Sequence, residues 1–189
     1  MGVMIIEASD DIQRRAVKAL FKRCFEDIDS DAVPETGVDQ LYAPIVAQYI
    51  DKKSGRLIGA ALTCRSRLAV ASLIAEQTGV AVSNPYRNVL DRHSELDLMC
   101  VDPDYRGRGI GSQLIAYLER RLSSLGVRAW FGCVTEDLDV DRLRVFYARH
   151  GFTVLGRGQK LPPLLGVDWS MSTVDEPAFY FYKVPKAAG

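Results

Sequence analysis

Histidine is scarce in this chain of 189 residues: only His93 and His150 occur, and neither stands at ligand spacing from a cysteine. The four cysteines, Cys24, Cys64, Cys100 and Cys133, are scattered and form no C-x-x-C pair. A metal site and a disulfide framework are both disfavoured, and free thiols in a reducing compartment are the expectation. Charge of one sign is missing too. Lys+Arg and Asp+Glu each number 24, the formal net charge is zero and the isoelectric point is about 6.7. That leaves no basic excess to capture nucleic acid or an anionic membrane. No apolar run is long enough to span a bilayer. The short run Val3 to Ile6 lacks the basic flank and length of a signal peptide, and Ile6 stands where a myristoylation motif needs Ser or Thr. What is there, 48% hydrophobic and 25% charged residues without repeat or low-complexity tract, suits one globular cytoplasmic domain over 1–189.

Along the chain, Ile5 to Ala8 reads as a first strand. Ser9, Asp10 and Asp11 offer caps for a helix with the stripe Val17, Leu20, Phe21, Cys24 and Ile28. A second helical stripe is Leu41, Tyr42, Ile45, Val46 and Tyr49, and Arg56 to Thr63 reads as a strand. Between Arg65 and Arg92 the pattern is ambiguous, since Leu68 to Gln77 fits a buried strand or a helix. From Glu95 to Val101 the residues alternate, with Leu96, Leu98 and Cys100 on one face and Glu95, Asp97, Met99 and Val101 on the other. Asp102-Pro103 ends this strand. A glycine-rich turn follows, then a helix with Ile110, Leu114, Ile115, Leu118, Leu122 and Leu125 in phase, closed by Gly126. Val127 to Thr135, Phe152 to Leu155 and Ala178 to Val184 read as strands, Asp141 to His150 as a helix, and Gly158 to Pro177 as a proline-rich connection. Strands interleaved with helices make the class α/β or α+β.

The turn is Tyr105-Arg106-Gly107-Arg108-Gly109-Ile110-Gly111. A helix start carries four amides without intrahelical partners and about half a positive charge, so a strand–glycine turn–helix unit is suited to a phosphate. Spacing separates the phosphate loops. No Lys follows Gly111, as a P-loop requires, and Ser112 breaks the G-x-G-x-x-G of a dinucleotide fold. The pattern is Arg-x-x-Gly-x-Gly.

Glu95 to Gly111 resembles the acetyl-CoA-binding motif of the GNAT superfamily of N-acetyltransferases. Phe146-Tyr147-Ala148-Arg149-His150-Gly151-Phe152 resembles that family's second motif. The resemblance implies a mixed, splayed central sheet flanked by helices, with acetyl-CoA as cosubstrate and no metal. It places the pantetheine arm along Met99, Cys100 and Val101. The pyrophosphate falls on the backbone of Arg106, Gly107, Arg108, Gly109, Ile110 and Gly111, with Ser112 beside it in the first helical turn. Val140, between Asp139 and Asp141, stands where many members have Asn.

The implied reaction is direct attack of a primary amine on the thioester in a ternary complex. An alkylamine of pKa about 10.4 is mostly protonated at neutral pH, and freeing its base form costs about 4–5 kcal/mol. Glu95 is the candidate base, with Asp97 two residues on and facing the same way, and His93 a weaker one. Tyr147 matches the family's tyrosine and is the candidate acid for the departing thiolate. The acceptor is a small-molecule or peptide amine, drawn to Glu95, Asp97, Asp168 and Asp175, between the first two helices, 65–92 and 158–177. Phe179 to Tyr182 suits sheet core or a homodimer surface, and Cys100 and Cys133 suit packed strand positions. A non-catalytic acyl-CoA-binding regulatory module would need the same glycine loop but neither Tyr147 nor the carboxylates.

Overall fold

The computed structural model describes residues 3–25, 28–81, 83–135, 138–169 and 177–186. Among these, the strands are β1 (Val3–Glu7), β2 (Ile45–Asp51), β3 (Leu57–Cys64), β4 (His93–Val101), β5 (Ala129–Val134), β6 (Thr153–Val154) and β7 (Phe179–Lys183). The helices are α1 (Asp11–Cys24), α2 (Asp39–Tyr42), α3 (Arg67–Gln77), α4 (Ile110–Ser124) and α5 (Val140–Arg149). The strands hydrogen-bond in the order β1-β2-β3-β4-β5-β7-β6, a mixed sheet that is mostly antiparallel. No described helix is long and apolar enough to cross a membrane.

The chain divides into two compact units, one of residues 1–64 and 96–121, the other of 65–95 and 122–189. In the first, β1, β2 and β3 form an antiparallel meander. Asp10 caps α1 by accepting from the Gln13 amide at 2.8 Å. The helix lays Val17, Leu20 and Phe21 against Val46, Ala60, Leu62 and Cys100. Arg14, buried, pairs with Asp39 at 2.5 Å and donates to the Pro34 carbonyl at 3.0 Å, which fixes the connection after α1. Ile28 lies beyond the end of α1 at the Phe25 cap, so its place on the helical stripe is not realised, although it packs on the same core.

The second helical stripe is also not realised. Only Asp39–Tyr42 is helical, and Ile45, Val46 and Tyr49 lie in β2. Pro44 disfavours helical backbone at the residue before it, and Ala43 turns left-handed there, at φ 43°. Residues 45–49 are then buried without alternation, because β2 is an interior strand with both faces covered. Val46 faces α1, whereas Tyr49 reaches Gln113 of α4 with its hydroxyl at 3.2 Å.

In the second unit, β4 and β5 pair in parallel over His93–Glu95 against Ala129–Phe131, and β7 joins β5 and β6 antiparallel. Leu68 to Gln77, ambiguous in sequence, is helical in α3. Ala69 of α3, Tyr86, Val89, Phe131, Leu161 and Trp169 form one core cluster. Tyr147, Phe152, Phe179 and Phe181 form an aromatic stack, with Tyr147 lying flat on Phe181 at 3.8 Å between centroids.

Candidate active site

The cofactor residues expected from sequence lie in the first unit. Along the end of β4, Leu98 and Cys100 point into the α1 core while Met99 and Val101 are half-buried on the other side. Cys100 therefore offers a ligand only its backbone. The strand stops where Asp102, buried, donates its amide to the Ile58 carbonyl at 2.9 Å and accepts from the Asp104 amide at 3.2 Å. Arg56 and Arg23 lie 3.7 and 3.8 Å from its carboxylate. Sequence reading treated Asp102 only as a strand stop. Its burial beside two arginines has no signal in local spacing, since Arg23 and Arg56 come from other elements.

The turn then delivers the chain into α4. Gly107 and Gly109 have φ of +77° and +75°, a region that L side chains rarely enter. A Cβ at either would meet no atom within 4 Å. The glycines are thus required by backbone conformation, and the space above them is open to a ligand. Ile110 and Gly111 begin α4, with Ser112 in its first turn, so the amides there project from a helix N-terminus. Backbone donors beside an open cradle fit a diphosphate.

Two arginine side chains stiffen the loop. Arg106 donates through Nε to the Val101 carbonyl at 3.1 Å. Arg108 donates to the Asp104 carbonyl at 3.0 Å and lies over the Tyr105 ring at 4.9 Å. Gly59 of β3 is a further determinant that sequence reading missed. A Cβ there would stand 2.8 Å from Cγ2 of Ile110, so glycine lets the first residue of α4 seat against the sheet.

Of the residues expected to do chemistry, Asp97 lies in the first unit, exposed on β4. Glu95 lies in the second, half-buried and in register with Phe131. Tyr147 is buried in the second unit, where burial first and Cys133 second push its phenol well above the usual tyrosine range. It is neutral at physiological pH and a weaker acid than a free phenol. Tyr180 is also pushed up, by burial first and then by the charges of Cys133, Glu95 and Asp168. Cys133 is exposed rather than packed, because it sits on the uncovered end of β5 opposite half-buried Tyr180. Asp175 lies outside the described residues.

His93 is a structural group. It is buried, its Nε2 accepts the Ser66 amide at 3.0 Å, and its Nδ1 accordingly carries the proton that is donated to the Val89 carbonyl at 3.0 Å. Phe131 and Trp169 pack on the ring at 6.2 and 4.2 Å. Burial pulls its pKa down to about 4. An imidazole with both nitrogens engaged has no lone pair for an amine, so the weaker base candidate is withdrawn. Asp139 likewise has a structural role, capping α5 by accepting from the Arg142 amide at 3.3 Å.

Over residues 64–154 the sequence matches the family model described as acetyltransferase (GNAT) domain. Residues 64–154 are a GNAT acetyltransferase domain. As such the chain is an acyl-CoA-dependent N-acyltransferase, a class that moves acetyl groups to amines. The GNAT fold extends over the whole chain. An acetyltransferase of this family from Staphylococcus aureus, 16% identical, aligns with a TM-score of 0.64 over 98% of this chain and 100% of its own. The ribosomal-protein-S18-alanine N-acetyltransferase of Escherichia coli, 16% identical, gives 0.62 over 100% and 97%. An aminoglycoside 6′-N-acetyltransferase complexed with coenzyme A, 14% identical, gives 0.58 over 100% and 99%. No curated protein matches the sequence. At these identities the likeness of the GNAT neighbours carries the fold and leaves the acceptor open.

Proposed function

We propose that this acetyltransferase binds acetyl-CoA along the end of β4 and over the Arg106–Gly111 turn, and transfers its acetyl group directly to a cationic amine. The observation that carries the reading is the pair of left-handed glycines, Gly107 and Gly109, opening α4 directly after β4 inside a GNAT domain. In this reading Met99, Cys100 and Val101 hold the pantetheine arm through their backbone. The amides of Arg106, Gly107, Arg108, Gly109, Ile110, Gly111 and Ser112 hold the diphosphate.

The acceptor class follows from charge. Glu95 and Asp168 of the second unit both bring negative charge to bear on Tyr180. That suits an ammonium group, whether on a small molecule or a peptide. Glu95 then takes the amine's proton, directly or through water, with Asp97 as the alternative carboxylate on β4. The free amine attacks the thioester carbonyl, an amide of β4 donates to the oxyanion, and the tetrahedral intermediate expels the thiolate of coenzyme A. Tyr147, whose phenol holds its proton more tightly than the coenzyme thiol of about 8.5, serves best as a hydrogen-bond donor to that thiolate.

Thermal unfolding with acetyl-CoA tests the reading. At about 100 times Kd the ligand adds about 2.7 kcal/mol, a rise of roughly 5–10 °C for a chain of this size. Gly109→Val, which forces a β-branched residue into positive φ, abolishes the rise. No shift in the native chain would refute the proposal.

A further inference from the structure

We propose that Arg23, Arg56 and Arg108 form a phosphomonoester subsite beside the glycine turn, and that it holds the 3′-phosphate of coenzyme A. Its occupant rests on the reading of that turn as the coenzyme site. All three residues belong to the first unit. Arg23 comes from the last turn of α1 and Arg56 is the residue before β3, yet both approach one oxygen, Oδ2 of Asp102, at 3.8 and 3.7 Å. The Arg56 guanidinium also lies 5.7 Å from the centre of the Tyr105 ring, and that of Arg108 lies 4.9 Å from the same centre. Arg56 is therefore the shared member of two arginine pairs, one on Asp102 and one on Tyr105.

Exposure and charge both call for an anion there. Asp102 is buried, whereas the Arg23 and Arg56 side chains are 55% and 57% exposed. Contacts of 3.7 and 3.8 Å are ionic and too long for hydrogen bonds, so Asp102 orients both guanidiniums without consuming their N–H donors. One carboxylate cannot neutralise two guanidiniums, and like charges held together repel. With Arg106, Arg108 and Asp104 of the turn, the patch sets four guanidiniums against two carboxylates. The excess matches a phosphomonoester, which carries about −1.5 to −2 near neutral pH. The reaction offers one such group. Its diphosphate is met by backbone amides, its acceptor is a cation that the patch repels, and the anion that remains is the 3′-phosphate of the coenzyme. Arginine forks suit the terminal oxygens of that group.

Calorimetric titration of the native full-length chain with coenzyme A and with dephospho-coenzyme A, which lacks only the 3′-phosphate, tests the assignment. Coenzyme A should bind about tenfold tighter or more, the worth of one charged hydrogen bond to phosphate. In Arg56→Met, coenzyme A should weaken about tenfold while the Kd of dephospho-coenzyme A moves less than about twofold. Arg56→Lys, which keeps the charge without the fork, should fall between native and Arg56→Met. Arg23→Met should narrow the gap between the two ligands in the same direction. Equal affinity of the native chain for both ligands would overturn the subsite while leaving the coenzyme reading of the turn intact. A gap that survives in Arg56→Met, or an equal weakening of both ligands in that folded variant, would overturn it as well. Failure of the native chain to bind either ligand would instead refute the reading of the turn, and the subsite with it. Where Arg56→Met does not fold, the native comparison and Arg23→Met decide.

Discussion

Lowering the pH from 7.5 to 4.5 is expected to remove about 2–3 kcal/mol of stability through His93 alone. Folded, the imidazole titrates at about 4, whereas an exposed histidine has a value of 6.5. The unfolded chain therefore binds the proton more readily than the folded one. Stability is complete above pH 6.5, falls as pH drops through 6.5, and levels only below about 4. The gap between the two values sets a limit of about 3 kcal/mol, of which most is lost by pH 4.5. The structural cause is specific. A second proton on the ring would sit on Nε2 and face the Ser66 amide, turning an acceptor into a donor against a donor at the N-cap of α3. Urea unfolding at both pH values measures the loss, and His93→Gln, which keeps an acceptor but cannot charge, should lose about 2–3 kcal/mol less over the same interval. Where that variant does not fold, NMR titration of the native protein decides, because only two imidazoles contribute signals. A His93 ring that titrates near 6.5, or equal acid losses in both proteins, would refute the reasoning.

Two substitutions test other parts of the account. Gly59→Ala places a Cβ 2.8 Å from Cγ2 of Ile110 and should cost about 1–3 kcal/mol in denaturant unfolding. Adding Ile110→Ala should then cost less than the sum of the two single changes, whereas strict additivity would dismiss the clash. Tyr147→Phe keeps the ring on Phe181 and removes only the hydroxyl. Stability should change little and kcat should fall about tenfold, the worth of one hydrogen bond to the departing sulfur. An unchanged kcat with chemistry rate-limiting would end that role.

The elements around the glycine turn were the most legible in sequence because local chemistry decides them. Glu95 to Val101 alternates at its start, Asp102-Pro103 stops a strand, and α4 carries an unbroken apolar stripe from Ile110 to Leu122. The stretch from Leu41 to Tyr49 misled because an interior strand is apolar on both faces, and its run of apolar residues happened to fit a helical period. Pro44 was the signal that could have corrected it. Cys133 was misplaced for the converse reason, since a strand position says nothing of whether its face is covered. The site depends more on non-local facts. That His93 is held at both nitrogens, that Asp102 is buried beside Arg23 and Arg56, and that the Cys24 thiol reaches the Val101 carbonyl are consequences of pairing between distant segments. Gly59 has the same character, because its reason for being glycine is a side chain 51 positions away.

The most direct measurement of the central claim is a crystal structure of the full chain with coenzyme A. The account predicts the diphosphate within hydrogen-bond distance of the Arg106–Gly111 amides, with Gly107 and Gly109 still left-handed and the pantetheine arm beside Met99 to Val101. Coenzyme bound at another surface, with that turn untouched by phosphate, would contradict it.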